Sequence, residues 1–319
     1  MPQNDSRLLI VQPGGVSYPS TPGTVTAADY IQAFDVSPTR IESESVERTV
    51  IDSQGGNILA PAITRVHATI EFSVYLTGSG SGLGVPPAMG TLLEACGTSV
   101  AIVATTSCTY SLATLNSTTG HCHLTFQHGG NNYKFLNAMG SVSFSFAAAA
   151  LPFARFQFKG FYEAPAPGTL LTPTYPSQRL ARTVDAANTG TFTMGTQATP
   201  VPLNFTEFTL DLGNEVTLYD NGGANGKYFA VTNRNPTATL TFLEPDLSVY
   251  NVDELHRTQA EQRLRLVHMS GVDGTTITIP RCTLEKFGTG DQNNRITRNG
   301  GLTILHSPGV RDDFTISFP

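Results

Sequence analysis

Between Thr64 and Leu76 the chain alternates without a break: Val66, Ala68, Ile70, Phe72, Val74 and Leu76 are apolar, and Arg65, His67, Thr69, Glu71, Ser73 and Tyr75 lie between them. A period of two is that of a β-strand with one face buried and the other polar. Arg40 to Ile51 (RIESESVERTVI) reads as its hairpin partner, with Ser53-Gln54-Gly55-Gly56-Asn57 as the tip. A GSGSGLG loop follows, and then a short helix. That helix has Pro86 and Pro87 in its first turn, an apolar stripe of Met89, Leu92, Leu93 and Cys96, and Gly97 just past its end. His121–Phe126, Asn132–Leu136, Ser141–Phe146 and Phe153–Phe161 are four further strand candidates, the first two joined through Gly129-Gly130.

The second half repeats this order. Phe205–Leu212 is a strand, Asn221-Gly222-Gly223-Ala224-Asn225-Gly226 a hairpin tip, and Thr237–Leu243 a second alternating strand. Asn251-Val252-Asp253-Glu254 has the cap and third-position carboxylate of a capping box. Arg263–Val267, a Gly271–Gly274 turn, Thr275–Ile279, Thr283–Phe287 and Phe314–Phe318 complete the series. Strand, hairpin, strand, short helix and further strands, twice over, predict a mainly β chain: two tandem β-sandwich or barrel domains, each with one short flanking helix. The first half carries an extra stretch from Thr98 to Gly120. The expected boundaries are an N-terminal arm at 1–27, a first domain at 28–163, a linker at 164–202 with six prolines and a short strand near Thr191–Met194, and a second domain at 203–319.

Composition narrows the function classes. Charged residues are only 14% of the chain while Thr, Ser, Gly and Pro are abundant, which suits a protein whose surface is covered by copies of itself. A net charge of −6 argues against holding nucleic acid through its phosphates. Cys96, Cys108, Cys122 and Cys282 form no CxxC pair and read as reduced thiols. The first residues, MPQNDSRLLIVQPGG, have too short an apolar run for a signal peptide, and no later run approaches a membrane span, so a cytoplasmically made protein without membrane binding is expected.

The candidate chemistry is thin. His121 and His123 flank Cys122 on one strand, with His128 nearby, but no acidic or Cys ligand stands at a supporting spacing, and the pair reads as the polar face of a half-exposed strand. No GxSxG occurs and no glycine run ends in Gly-Lys-Ser/Thr, so neither catalysis, metal nor cofactor is expected. More distinctive are the polar strand faces: Glu42, Glu44, His67, Thr69, Glu71 and Ser73 in the first half, Glu207, Thr209, Asp211, Thr237, Thr239 and Thr241 in the second. An ordinary solvent-facing sheet explains them. So does the neutral-to-acidic wall of a channel, which would repel a phosphate backbone.

ITRVHATIEFSVYL, the Gly/Ser loop, PPAMGTLLEACG, SVSFSF and FARFQFKGFYEAP, together spanning about Arg65 to Pro165, resemble the tail tube proteins of long-tailed bacteriophages. The C-terminal half shares only the order of elements. The resemblance implies a flanked β-sandwich or barrel, rings stacked into a hollow tube in a virion tail, other tail proteins at the tube ends, and passive contact with double-stranded DNA in the bore. It also implies hairpin loops reaching the next ring, here Gln54, Gly55, Gly56 and Asn57 and then Asn221, Gly222 and Gly223. Single-domain members form hexameric rings, so a tandem pair implies a trimer with pseudo-sixfold symmetry. Another virion or injection-machine component, such as a capsid decoration protein or contractile inner tube, is the alternative. A carbohydrate-binding sandwich is disfavoured by the absence of Trp.

Overall fold

The computed structural model describes residues 7–15, 20–48, 60–79, 82–115, 120–169, 172–175, 179–222, 226–306 and 312–319. The first half contains β1 (Arg7–Pro13), β2 (Tyr30–Ile31), β3 (Phe34–Val46), β4 (Ala62–Tyr75), helix α1 (Gly90–Ala95), β5 (Thr98–Val103), β6 (Ser107–Leu112), β7 (Cys122–His128), β8 (Asn131–Ala147) and β9 (Phe153–Pro167). The second contains β10 (Thr189–Gly195), β11 (Pro200–Pro202), β12 (Phe205–Asp211), β13 (Asn214–Asp220), β14 (Lys227–Arg234), β15 (Thr237–Leu243), helix α2 (Val252–Thr258), β16 (Gln262–His268), β17 (Thr275–Leu284), β18 (Gly288–Gln292), β19 (Arg295–Ile304) and β20 (Thr315–Phe318). The chain is mainly β, as its alternation predicts. Among the described residues no helix is long and apolar enough to cross a membrane.

The pairing order recurs. In the first half β1 pairs with β7, β7 with β8, β8 with β9, β9 with β4 and β4 with β3, all antiparallel. In the second, β10 pairs with β16, β16 with β17, β17 with β19, β19 with β15 and β15 with β12, again all antiparallel. Each helix follows the strand at the corresponding place, β4 or β15. Among the described residues two pairings between strands join the halves, besides an isolated bridge between Ala148 and Val184. The C-terminal part of β8 pairs with β12, and β20 lies between β17 and the first-half strand β6.

One buried cluster spans both halves. It takes Ile70, Phe72, Phe144, Phe156, Phe208 and Leu240 from one side and Leu9, Leu124, Leu264, Ile277 and Ile316 from the other, as expected for two sheet layers sharing a core. The strand β8 passes between the layers. Its N-terminal part pairs with β7 and its C-terminal part with β12, and it bends where Asn137 adopts a positive φ of 47° and the register against β9 shifts.

Several sequence expectations are corrected here. The segments Asn132–Leu136 and Ser141–Phe146 are one strand, because the bulge at Asn137 interrupts the alternation without ending the pairing. Thr275–Ile279 and the start of Thr283–Phe287 likewise merge into β17. β7 is not half-exposed: six of its seven residues are buried, including His123. Pro86 and Pro87 precede α1, whose first turn opens with Gly90 N–H donating to Pro87 O at 2.8 Å. The stripe itself is as read, with Met89, Leu92, Leu93 and Cys96 all fully buried. Of the capping box only the cap half forms: Glu254 N–H donates to the Asn251 side chain at 3.1 Å, while the Glu254 carboxylate accepts from Arg257 at 2.6 and 2.7 Å. Within the N-terminal stretch, Arg7–Pro13 is a strand paired along its whole length with β7. Within the Pro-rich stretch, β10 and β11 join the second half's sheet.

The hairpin β13–β14 stands apart as a two-stranded sheet and folds back on the first half. Gly213 (φ 57°) makes the turn out of β12, where a Cβ would land on the Asn235 carbonyl. At the hairpin base Arg234 donates from its guanidinium to Gly97 O (2.9 Å) and Ala113 O (3.1 Å), and Asn214 Nδ2 donates to Cys96 O (2.6 Å). Two of these bonds serve the Cys96 and Gly97 carbonyls at the C-terminal end of α1, and the third holds the chain leaving β6 at Ala113. Farther out, Phe229 and Val231 pack on Leu136, Met139 and Phe161 as a second, smaller core.

Candidate lumen-facing surface

Following the register from strand to strand shows what the polar residues form together. Ser73 faces Arg155, Arg155 faces Ser143, Ser143 faces Asp211, Asp211 faces Thr237, and Thr237 faces Thr303. A parallel row runs through Ser145, Thr209, Thr239 and Gly301, and another through Glu207, Thr241 and Asn299. Directly opposed residues in a sheet share a face. The order β3-β4-β9-β8-β12-β15-β19-β18 is therefore one continuous antiparallel surface crossing from the first half to the second. The sequence-predicted residues Glu71, Glu207, Thr209, Asp211, Thr237, Thr239 and Thr241 lie on it together. Ser141, Ser143, Ser145, Arg155, Gln157, Lys159, Asn299 and Thr303 also belong to it and were not singled out. Their alternation with Val142, Phe144, Phe156 and Phe158 marks two strands clearly, but the β8–β12 pairing that puts them beside Asp211 is non-local.

The face is polar and close to neutral rather than simply acidic. Glu71 accepts from Arg155 Nη2 (2.8 Å) and Gln157 Nε2 (2.8 Å). Glu44 pairs with Arg65 at 3.2 Å, and Glu42 contacts His67 Nε2 at 3.1 Å and accepts from Thr69 Oγ1 at 2.8 Å. Across β12 and β15, Thr209 and Thr239 hydroxyls are 2.6 Å apart, and Asp211 Oδ1 accepts the Gly213 N–H at 2.8 Å. Glu71, Ser141, Ser143, Arg155, Gln157 and Asp211 line a shallow polar hollow of about 390 Å³ at the junction of the halves. Such exposed pairs contribute little stability each, but they fix side-chain positions and offset one another's charge.

The open face has two limits. At the end where β4 begins, the β13–β14 hairpin covers it: Phe229 lies edge-on to His67, and Lys159 Nζ donates to Val216 O at 3.5 Å. At the other end Phe34 stacks on Tyr75 and meets Phe153 edge-on. Ser73, between Phe34 and Arg155 in the register, is only 4% exposed and lies beneath its neighbours. Of the expected loop contacts, Gln54, Gly55, Gly56, Asn57 and Gly223 lie outside the described residues. Asn221 and Gly222 form the end of the β13–β14 hairpin, where Asn221 N–H donates to Gly226 O at 2.9 Å.

The histidines flanking Cys122 hold structure rather than forming a cluster on the surface. His123 Nδ1 accepts the Asn137 N–H (3.2 Å), so its proton sits on Nε2, which donates to Ser20 Oγ (3.1 Å). The Ser20 hydroxyl in turn donates to Asn137 Oδ1 at 2.6 Å. An imidazole in this tautomer cannot accept the Ser20 proton, so the pair lacks the geometry of a base and its nucleophile. Asn137 Nδ2 also donates to Gly15 O, which ties the N-terminal segment to the bend of β8. His121 Nε2 donates to Phe229 O at 3.0 Å, tying β14 to the start of β7. No group of three or more His, Cys, Asp or Glu among the described residues could hold a metal ion.

Burial holds the protonation of His121, His123 and His268 below the ordinary histidine range, with the neighbouring His121 adding to the effect at His123. On acidification the unfolded chain takes up these protons first. Stability is therefore complete above the unfolded value of 6.5 and falls as the pH drops below it. The urea midpoint of the unassembled chain is expected to be lower at about pH 5.5 than at about pH 7.5, and the gap to narrow in His123→Gln. Equal wild-type midpoints at the two pH values would contradict this assignment.

A comparison of the chain with curated proteins finds no match. A comparison with protein-family models does: the model described as phage tail tube protein matches residues 4–317, nearly the whole chain. A mainly β chain with a continuous polar sheet face thus belongs to the phage tail tube protein family and is a structural subunit of the tail tube.

Proposed function

We propose that three copies of this chain close into a ring with pseudo-sixfold symmetry, each contributing two tandem tube domains. The rings stack into the conduit through which the genome is delivered to the host cell, and the continuous polar face lines the bore. The observation that carries the reading is the recurrence of one six-strand pairing order in both halves, fused through β8–β12 into a single polar face. Eight strands per chain and three chains give a closed antiparallel wall without free edges. A bore of threonines, serines and mutually neutralised charges offers double-stranded DNA passive contact and no phosphate clamp. The tip residues of the β3–β4 and β13–β14 hairpins contact the adjacent ring, and other tail proteins close the tube ends. Assembly takes place in the host cytoplasm.

The mass per unit length of purified tubes, combined with their axial repeat, tests the stoichiometry. Three chains per ring are expected. Six per ring, or discrete trimers that never stack at high concentration, would overturn the proposal.

A further inference from the structure

The eight-strand face ends in two free edges. Among the described residues β3 pairs only with β4, and β18 only with β19. All five residues of β18 are exposed, and large apolar side chains are exposed at one edge and beside the other: Ile41 of β3 is 55% exposed, and Ile296 of β19, opposite Asp291 of β18, is 53% exposed. Unprotected edges of this kind are templates for pairing with another chain.

The internal repeat indicates which chain and in which register. Along β19, β17 and β18 follow one another: Leu284 faces Leu302 and Gly288 faces Asn299. Together they occupy the place that the long strand β8 occupies along β9. The C-terminal part of β8 has its other edge paired with β12. β18 is the counterpart of that part of β8, and β3, the outer partner of β4, is the counterpart of β12, the outer partner of β15. The chain thus already contains one example of a junction that it leaves open at both ends.

From this, we infer that the β18 edge of one copy pairs antiparallel with the β3 edge of the next, as an intermolecular copy of the β8–β12 junction. The inference rests on the ring proposed above and specifies its seam. Strand polarity permits it, because eight alternating strands leave β18 running opposite to a following β3; an odd number would force a parallel contact. The alternation of faces restricts the register to even steps. Matching Ala68, Ile70 and Phe72 to Ala238, Leu240 and Phe242 places Gly290 opposite Glu42 and Gly288 opposite Glu44. Glu42 and Glu44 already reach across to His67 and Arg65 on their own sheet, so the glycines face strand backbone rather than competing side chains. The same register puts the irregular step of β3 at residues 40–41 opposite Asp291, one strand from Ile296, so that the exposed side chains of Ile41 and Ile296 come near each other across the seam.

Cysteine cross-linking reads the register directly, since opposed residues in an antiparallel pair lie within disulfide reach. The native cysteines are all buried, which keeps the background low. Tubes of Glu42→Cys/Gly290→Cys are expected to give a ladder ending at a covalently closed trimer under mild oxidation, whereas Glu42→Cys/Thr289→Cys, with its second thiol on the opposite face, gives little. In wild-type protein, amide exchange over residues 288–292 is expected to slow by about tenfold or more on assembly, which needs no variant. If tubes with three chains per ring neither cross-link at this pair nor protect β18, the seam is wrong while the ring stands. If the tubes do not contain three chains per ring, the ring itself is wrong, and the seam with it.

Discussion

Tubes assembled from the Glu207→Lys/Thr239→Lys variant are expected to keep their shape and to lose DNA delivery. Glu207 and Thr239 are both exposed and lie on the shared polar face, and neither side chain contributes to the buried cluster, so folding should change within about 0.5 kcal/mol. With this face lining the bore as proposed, the charge inside the tube would change much more. Two lysines per chain repeat at every ring, and each ammonium near a phosphate displaces condensed counterions, so binding accumulates along the tube. Infectivity of tails built from the variant is expected to fall by roughly tenfold or more and to recover partly at higher salt, which weakens such contacts. The choice of sites matters. Glu42, Glu44 and Glu71 already have cationic or imidazole partners, so lysine there would first disturb Arg65, His67 or Arg155. Glu207→Gln/Thr239→Ser, which adds no positive charge to the face, should be neutral.

Replacement of Phe144 by alanine is expected to have the largest effect on the fold. Phe144 is fully buried on β8, facing Ala154 of β9 on one side and Leu210 of β12 on the other, at the junction that fuses the halves. Truncating a buried phenylalanine costs about 3–5 kcal/mol through lost burial and the cavity left behind. A domain has only about 5–15 kcal/mol of total stability, so the variant should unfold at clearly lower denaturant and accumulate poorly as soluble protein. Thr239→Ala on the opposite face of the same sheet provides the control and should unfold near the wild-type midpoint. A Phe144→Ala midpoint indistinguishable from wild type would mean that the halves do not share a core there.

Most strands of the polar face were legible in the sequence, and their arrangement was not. β4 and β15 announce themselves because each has one buried and one polar face, and Thr237–Leu243 is the observed strand to the residue. β8 reads as two strands because Asn137 enters the left-handed region at the bend between layers and breaks the period of two. β19, a member of the polar face, leaves almost no signal. Its N-terminal residues Arg295 to Asn299 include the buried Thr297 and the exposed Ile296, the reverse of what side-chain polarity suggests, and Gly300-Gly301 follows. β18, with two glycines and no apolar residue, leaves none. β1 lies in a stretch whose prolines and glycines dominate its composition, and its partner β7 is more than a hundred residues away. For the candidate surface, the polar residues of β3, β4, β12 and β15 were recognisable strand by strand. What could not be read is that β8 and β9 bring Ser141, Ser143, Arg155 and Gln157 between them, because register across non-local pairs is set by the three-dimensional core and not by local pattern.

The central claim is that the polar face formed by β3, β4, β9, β8, β12, β15, β19 and β18 is the inner wall of the tube. Electron cryomicroscopy of assembled tubes at side-chain resolution tests it most directly. Gln157, Ser143, Thr209 and Thr239 are expected to point into the bore, with eight strands from each chain around it. A reconstruction with these residues on the outer surface, or with the bore lined by α1 and α2, would contradict the account.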